Sequence, residues 1–342
     1  MSVTIRDVAR RLNLSITTVS RALDGYKDVA EDTRQQVIRT AREMGYVPNQ
    51  AARQLRRRRS DTIGYILPAD VPRFSDPFFS EFIAGLGDEA SSRGYDLLVS
   101  TSPPDSPIEQ RAYERWTHSR KVDGMVLNRI RLHDWRVKYL SQAKFPFVTL
   151  ERTLDDDEYP SVEVQGRKWF QTLVEHLISL GHQRIAYVGT SANLKIQDDR
   201  YGGYCDALRA HGKHIDPDLV IEENLTTEGG YRAASHLLAL PAPPTAIACV
   251  DDVTAIGVLH AAHDYDRSVG NDLAVTGFDG VEGFKHTRPP LTTINQPVYQ
   301  IARQMVQMLT SLIAGQRLEN LHRISEPVME VRESTIGRRE KV

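Results

Sequence analysis

The first 45 positions alternate apolar and polar residues with the period of α-helices. The first predicted helix carries four apolar residues on one face, namely Ile5, Val8, Ala9 and Leu12. Ser15, a favoured N-cap residue, precedes a second helix that ends at Gly25, and a third helix runs from about Glu31 to Gly45. Two short helices joined by a tight turn predict a helix-turn-helix, and a generic three-helix bundle is the alternative.

From residue 61 onward, short apolar runs alternate with helical periodicity. Strands are predicted at 62–68, 95–100, 124–127, 146–150, 184–189, 246–250 and 273–278, and helices at 78–93 and 169–180. This β-α-β alternation predicts doubly wound parallel sheets, which bind ligands at the carboxyl ends of their strands. The predicted fold is therefore an all-α helix-turn-helix head followed by an α/β body.

Charge separates these two parts of the chain. Residues 1–60 carry 13 Lys and Arg against 6 Asp and Glu, whereas the remainder carries 30 against 39. A basic head on an acidic body predicts that the head binds a polyanion. The outward face of its second helix carries Ile16, Thr17, Thr18 and Arg21. In the major groove, Arg21 can donate two hydrogen bonds to a guanine.

Cysteine content and hydropathy predict a cytoplasmic protein. The only two cysteines, Cys205 and Cys249, allow no disulfide framework and no CxxC zinc site, which favours a reducing compartment. The polar N-terminus MSVTIRDVAR does not resemble a secretory signal. No apolar run approaches the ~20 residues of a membrane span, so we expect no membrane partner.

Enzyme motifs are missing from the sequence. No GxSxG, HExxH, P-loop or dinucleotide-binding GxGxxG follows a predicted strand. His260 and His263 lack a third ligand type nearby, and the acidic run at 155–158 is predicted to be a solvated loop. We therefore predict no catalytic residues, no cofactor and no metal.

The head resembles the DNA-binding domain of the LacI/GalR (lactose/galactose repressor) family. The similarity covers TIRDVARRLNLSITTVSRALDG at 4–25 and VAEDTRQQVIRTAREMGYVPNQAARQLR at 29–56. The resemblance implies that Ile16, Thr17 and Arg21 read the major groove. It also implies phosphate contacts for a set of small polar residues: Thr4, Ser15, Thr18, Ser20, Thr33 and Asn49.

The stretch AARQLRRRRS at 51–60 places five arginines around Leu55. By itself it predicts a solvated basic linker. The family resemblance implies that residues 49–56 form a short helix, which is marginal alone because it is so short. Leu55 would then pry apart a base step in the minor groove, with Arg53 and Arg56 beside it on the DNA. Arginine contacts to phosphates predict a steep salt dependence.

The body resembles the same family's effector domain, which is similar to periplasmic sugar-binding proteins. The matching stretches are SDPFFSEFIAGLGDEASSRGYDLLVS, HLISLGHQRIAYVG, VTGFDG and PPLTTINQP. The resemblance implies two doubly wound lobes, three crossings near residues 161, 290 and 322, and a ligand cleft between the lobes. The expected bounds are a head at 1–47, a hinge at 48–60 and a body at 61–342, with lobe 1 at about 61–161 and 291–322 and lobe 2 at about 162–290 and 323–342.

Candidate effector ligands lie at the ends of predicted strands. The resemblance matches Arg200 and Asp279 to effector-binding residues of the family, and a guanidinium can hold adjacent hydroxyls or a carboxylate. The further candidates are Phe74, Asp76, Phe79, Glu151, Trp169 and Asp251. Structural roles are the alternatives: Asp76 and Asp251 as helix caps, and Trp169 as a packing residue.

These observations predict a transcription regulator, with repression as the expected action. We expect a homodimer on a pseudo-palindromic DNA operator, controlled allosterically by a small-molecule effector. A mono- or oligosaccharide is the first choice of effector and a purine the second. The alternative function is a cytoplasmic sugar-binding receptor without a gene-regulatory role.

Overall fold

The structure is a computed structural model that describes residues 3–26, 28–46, 59–68, 76–155, 158–191 and 193–337. Two compact units make up the chain, residues 1–60 and residues 61–342. No helix in the described ranges combines the length and the apolar character that a membrane span requires.

In the described residues of the first unit, three helices form: α1 (Ile5–Leu12), α2 (Ile16–Leu23) and α3 (Glu31–Glu43). Helix α1 begins with a capping interaction in which the Thr4 backbone N–H donates to the Asp7 carboxylate at 3.0 Å. Buried side chains from all three helices form a common core, among them Val8, Val19 and Val37. A short turn joins α1 to α2, and the head therefore has the helix-turn-helix plan that the sequence predicts.

The first lobe of the second unit is built on a six-stranded parallel sheet. Its strands are β1 (Thr62–Pro68), β2 (Asp96–Ser102), β3 (Gly124–Leu127), β4 (Phe147–Leu150), β5 (Ser161–Glu163) and β11 (His322–Ile324), in the order β11-β5-β4-β3-β1-β2. Its helices are α4 (Pro77–Ser92), α5 (Pro107–Ser119), α6 (Trp135–Gln142) and α11 (Val298–Ile313). Apolar cores lie on both faces of this sheet, which explains why its strands are nearly continuous apolar runs.

The second lobe has a four-stranded parallel sheet of order β7-β6-β8-β9. The strands are β6 (Ile185–Gly189), β7 (Val220–Glu222), β8 (Ala246–Cys249) and β9 (Ala274–Thr276). The helices are α7 (Gly166–Ser179), α8 (Lys195–Ala210), α9 (Thr227–Leu238), α10 (Asp252–Asp264) and the short α12 (Glu333–Ile336). An antiparallel pair, β10 (Thr293–Asn295) with β12 (Val328–Glu330), completes the body. The predicted α/β fold class is confirmed.

The chain passes between the lobes three times, and the middle crossing differs from the expectation. We expect it near residue 290, but it lies after Asn295. Residues 292–295 stay with the second lobe because Thr292 and Asn295 form bridges to Thr276 and Asp279. Ile294 is also fully buried in the core of that lobe. A strand of three residues carries too short an apolar pattern to reveal this from sequence.

Candidate functional site

Helix α2 presents most of the predicted DNA-reading side chains to solvent. Ile16 is 46% exposed although it is apolar, and Thr17 and Arg21 are also exposed. The Ser15 hydroxyl caps the helix by accepting a hydrogen bond from the Thr18 backbone N–H at 3.0 Å. This cap fixes the first turn of α2, which is the turn that we expect to meet base edges.

The predicted phosphate-contacting residues of the head do not all lie on its surface. Thr4 is exposed at the start of α1, and Thr33 is half-buried in the first turn of α3. Ser20, by contrast, is only 5% exposed, because the helical period turns it inward beside Val19. The structure therefore places Ser20 with the core rather than with the exposed side chains of α2. The hinge candidates Asn49, Arg53, Leu55 and Arg56 lie outside the described residues.

A cavity in the body collects side chains from both lobes at the cleft. Its volume is about 40 Å³, and its lining residues are Phe78, Asn128, Arg129, Ile130, Leu150, Glu151, Ile196, Arg200, Asp279 and Gln296. Of the predicted effector ligands, it brings together Glu151, Arg200 and Asp279. A second cavity of about 180 Å³ is also lined by Arg129.

Arg200 and Asp279 form a buried polar centre in the cavity. Arg200 Nη2 lies 3.2 Å from Asp279 Oδ1, and Gln296 Nε2 donates to the same oxygen at 2.6 Å. The Arg200 guanidinium also donates to the Val250 carbonyl, and its central carbon lies 4.0 Å from the centroid of the Phe278 ring. Burial raises the pKa of Asp279 well above its usual range, and the Arg200 charge opposes that shift.

Glu151 supplies a second carboxyl group with an altered pKa. Burial raises the pKa of Glu151 to about 8, and the negative charge of Asp199 adds to the shift. The Val164 backbone N–H donates to its Oε1 at 3.1 Å and partly opposes the shift. At neutral pH, Glu151 is therefore protonated and can both donate and accept hydrogen bonds.

Asp76 and Phe79 do not line the cavity. Asp76 is the N-cap of α4, where it accepts a hydrogen bond from the Phe78 backbone N–H at 3.0 Å. Phe79 is 1% exposed within the first-lobe core. Helix α4 begins at Pro77, so neighbouring positions 78 and 79 face different sides, and it is Phe78 that faces the cleft.

Two second-lobe candidates also have structural surroundings. Asp251 is the N-cap of α10 and accepts from the Thr254 backbone N–H at 2.8 Å. Trp169 packs half-buried against the second-lobe core. Neither residue lines the cavity, and these positions agree with their alternative roles as a helix cap and a packing residue. Phe74 lies outside the described residues.

Sequence reasoning missed seven of the cavity residues: Phe78, Asn128, Arg129, Ile130, Leu150, Ile196 and Gln296. Asn128 is 2% exposed, and neither atom of its amide has a hydrogen-bond partner among the described residues. Asn128 and Arg129 directly follow β3, so the strand-end rule could have found them. Gln296 follows a strand of three residues at a crossing, where the sequence gives no comparable signal.

A helix-turn-helix head followed by a two-lobed α/β body with a polar cleft defines a ligand-responsive, DNA-binding transcription regulator. Two family models match the chain: "Bacterial regulatory proteins, lacI family" at residues 4–49 and "Periplasmic binding protein-like domain" at residues 174–335. The transcriptional repressor CytR of Escherichia coli K12 is 33% identical over 98% of this chain and 96% of its own length.

Two solved structures match nearly the full length of the chain. A complex of the transcriptional regulator CelR with cellobiose is 29% identical, covers 97% of this chain and 99% of its own, and has a TM-score of 0.75. The Lac repressor dimer bound to operator and the anti-inducer ONPF is 26% identical, covers 98% of this chain and 100% of its own, and has a TM-score of 0.85. The chain belongs to the LacI family of bacterial regulatory proteins, which are transcription regulators and not enzymes.

Proposed function

We propose that this regulator is a repressor whose operator affinity is controlled by an uncharged, hydroxyl-rich ligand, a mono- or disaccharide, bound between the lobes. It acts as a homodimer in the cytoplasm, where one head meets each half of a pseudo-palindromic operator. The observation that carries the proposal is the mixed donor and acceptor lining of the cleft cavity. Two relatives support the same interpretation: CytR is named a transcriptional repressor, and CelR has been solved in complex with cellobiose.

The polar groups of the cavity complement vicinal hydroxyls. A sugar hydroxyl both donates and accepts, and it needs partners of both kinds. Asn128 offers one donor and one acceptor group without a hydrogen-bond partner in the described residues, and protonated Glu151 offers the same combination. Apolar side chains, Phe78, Ile130, Leu150 and Ile196, provide surfaces for the C–H faces of a ring.

Charge in the cavity favours a neutral ligand over a phosphorylated or strongly anionic one. Arg200 is already paired with Asp279, and Arg129 Nη2 lies 3.9 Å from Asp76 Oδ2. Each described arginine of the cavity lining therefore already has a carboxyl partner.

Lobe separation provides the link between ligand and DNA. The lobes meet at the cleft, where Lys195 N–H donates to the Ile130 carbonyl at 2.8 Å and Leu132 N–H donates to the Asn193 carbonyl at 3.3 Å. The cavity of about 40 Å³ is by itself too small for a sugar ring, and we expect these contacts to open when a ligand binds. A ligand that favours the open form shifts a two-state equilibrium, and a typical allosteric coupling changes DNA affinity about 5- to 150-fold.

On DNA, we assign base contacts to Ile16, Thr17 and Arg21 of α2. Thr4, Ser15, Thr18 and Thr33 lie near phosphates in this proposal. Residues 49–56 stay assigned to the minor groove, with Leu55 as the wedge and Asn49, Arg53 and Arg56 beside it. The exposed face of α2 and the basic composition of the head support these assignments.

Calorimetry of the full-length protein against monosaccharides, disaccharides and purine nucleosides tests the ligand class. We expect a sugar to bind the wild type and not the Asp279→Asn variant. Asp206→Asn removes a carboxylate of the same lobe that pairs with Arg167 on the surface, and it should bind like the wild type. Binding of a purine alone would replace the sugar assignment.

Selection of duplexes from a randomised library tests the regulator role. The wild type should enrich a pseudo-palindrome, and the ligand found by calorimetry should change its affinity for that duplex. Sugar binding without any enriched duplex would support a receptor instead and would contradict the repressor proposal.

A further inference from the structure

We propose that Asp28 sets the base preference of this regulator by holding Arg21 in the orientation that reads guanine. This inference rests on the DNA-reading role of Arg21 proposed above. Asp28 lies in the loop between α2 and α3, seven positions after Arg21, and its side chain reaches back to the guanidinium. No feature of the sequence pattern pointed to this residue.

The Asp28 carboxylate binds Arg21 along one side of the guanidinium. Arg21 Nε donates to Asp28 Oδ1 at 3.2 Å, and Nη2 contacts Oδ2. A guanidinium carries five N–H groups, and this pairing uses one on Nε and one on Nη2. The end of the guanidinium keeps two parallel N–H groups, one on Nη1 and one on Nη2. Those two groups match the O6 and N7 acceptors of guanine.

The loop that carries Asp28 is anchored on both sides. The Tyr26 backbone N–H donates to the Arg21 carbonyl at 3.0 Å, and the Tyr26 carbonyl accepts from Arg34 Nη2 at 2.7 Å. Val29 is 9% exposed in the head core. The Tyr26 ring adds a second contact, because its centroid lies 5.0 Å from the central carbon of the Arg21 guanidinium. Arg21 is thus held by a carboxylate along its edge and an aromatic ring over its face.

The ion pair between Arg21 and Asp28 contributes little to the free energy of folding. We therefore expect its main effect to be on DNA recognition. Arg21 and Asp28 have side-chain exposures of 44% and 53%, and exposed ion pairs stabilise folded proteins only weakly. On DNA, an unpaired arginine can bind any phosphate, whereas Asp28 occupies its side edge and repels phosphates. Asp28 therefore lowers sequence-independent affinity and favours the end-on contact with a base.

The test compares four full-length proteins on two kinds of duplex. The proteins are the wild type, Arg21→Ala, Asp28→Asn and the control Asp32→Asn, which removes the same charge from an exposed site in the first turn of α3. The duplexes are the one that the wild type enriches from a randomised library and one of unrelated sequence. Single base changes in the enriched duplex then identify the guanine whose preference Arg21→Ala abolishes.

We expect Asp28→Asn to reduce discrimination at that guanine by about three- to tenfold. The same variant should bind the unrelated duplex more tightly. Its affinity should also fall more steeply with increasing salt, by the amount expected for about one more phosphate contact per head. Asp32→Asn should change the affinity for both duplexes by the same factor and leave the base preference intact. Thermal unfolding followed by circular dichroism should be the same for all four proteins, because the substituted side chains are exposed.

Two outcomes would overturn the inference. If Asp28→Asn keeps the full guanine preference and behaves like Asp32→Asn, Asp28 acts only through its charge. If no guanine preference depends on Arg21, the orientation of that side chain has no role in reading DNA. A wild type that enriches no duplex would instead remove the proposed function itself.

Discussion

Glu151→Gln should make the body more stable than the wild type, by an amount that grows as the pH rises. In the folded wild type, burial raises the pKa of Glu151 to about 8, whereas an unfolded glutamate has a pKa of about 4.3. Between these values the unfolded chain releases a proton that the folded chain retains, so the free energy of unfolding falls with increasing pH. Glutamine keeps a neutral group of similar shape and is free of this penalty.

The magnitude follows from the pKa difference. Each pKa unit corresponds to 1.36 kcal/mol. If the pKa shift of Glu151 acts in full, the free energy of unfolding of the wild type falls by about 3.5 kcal/mol between pH 5 and pH 8. Glu151 is half-buried, and partial access of solvent lowers the expected difference to about 3 kcal/mol. The Asp199 charge, which adds to the shift, lies on α8 across the cleft. Closure of the lobes is therefore part of the effect.

Urea unfolding followed by tryptophan fluorescence is the assay. All three tryptophans, Trp116, Trp135 and Trp169, lie in the body, so the signal does not report on the head. The control is Glu228→Gln, in which an exposed glutamate is neutralised. A difference between Glu151→Gln and the wild type that stays constant from pH 5 to pH 8, or shrinks with rising pH, would refute the reasoning.

Two further changes test the packing of the second lobe and the hinge. Gly257→Ala places a Cβ 1.9 Å from the Thr227 carbonyl oxygen, so α9 and α10 must move apart. We expect the free energy of unfolding, measured in urea, to fall by about 3 kcal/mol. An unchanged unfolding midpoint would contradict this close helix crossing. Leu55→Ala should weaken binding to the enriched duplex at least about tenfold. Calorimetry should give the same ligand affinity, because the proposed wedge acts on the DNA and not on the ligand. Equal DNA affinity would remove the wedge.

Local patterns determined the elements of this protein. Apolar periodicity and the Ser15 cap predict the helices of the head, because a helix places residues three and four apart on one face. Buried parallel strands are short apolar runs, so the α/β alternation is equally visible. The strand-end rule, together with the family resemblance, also selected Arg200, Asp279 and Glu151, which the structure brings into one cavity.

Tertiary structure alone decided which strand-end residues meet. Asp251 and Asp76 are ligand candidates in sequence, and in the structure one oxygen of each carboxylate caps a helix N-terminus. Gln296 reaches Asp279 only because the chain crosses between lobes after Asn295. Pairing across a cleft, burial and the pKa shift of Glu151 all depend on residues that are distant along the chain. A local sequence pattern carries no information about such neighbours, since their distances are set by how the two sheets pack.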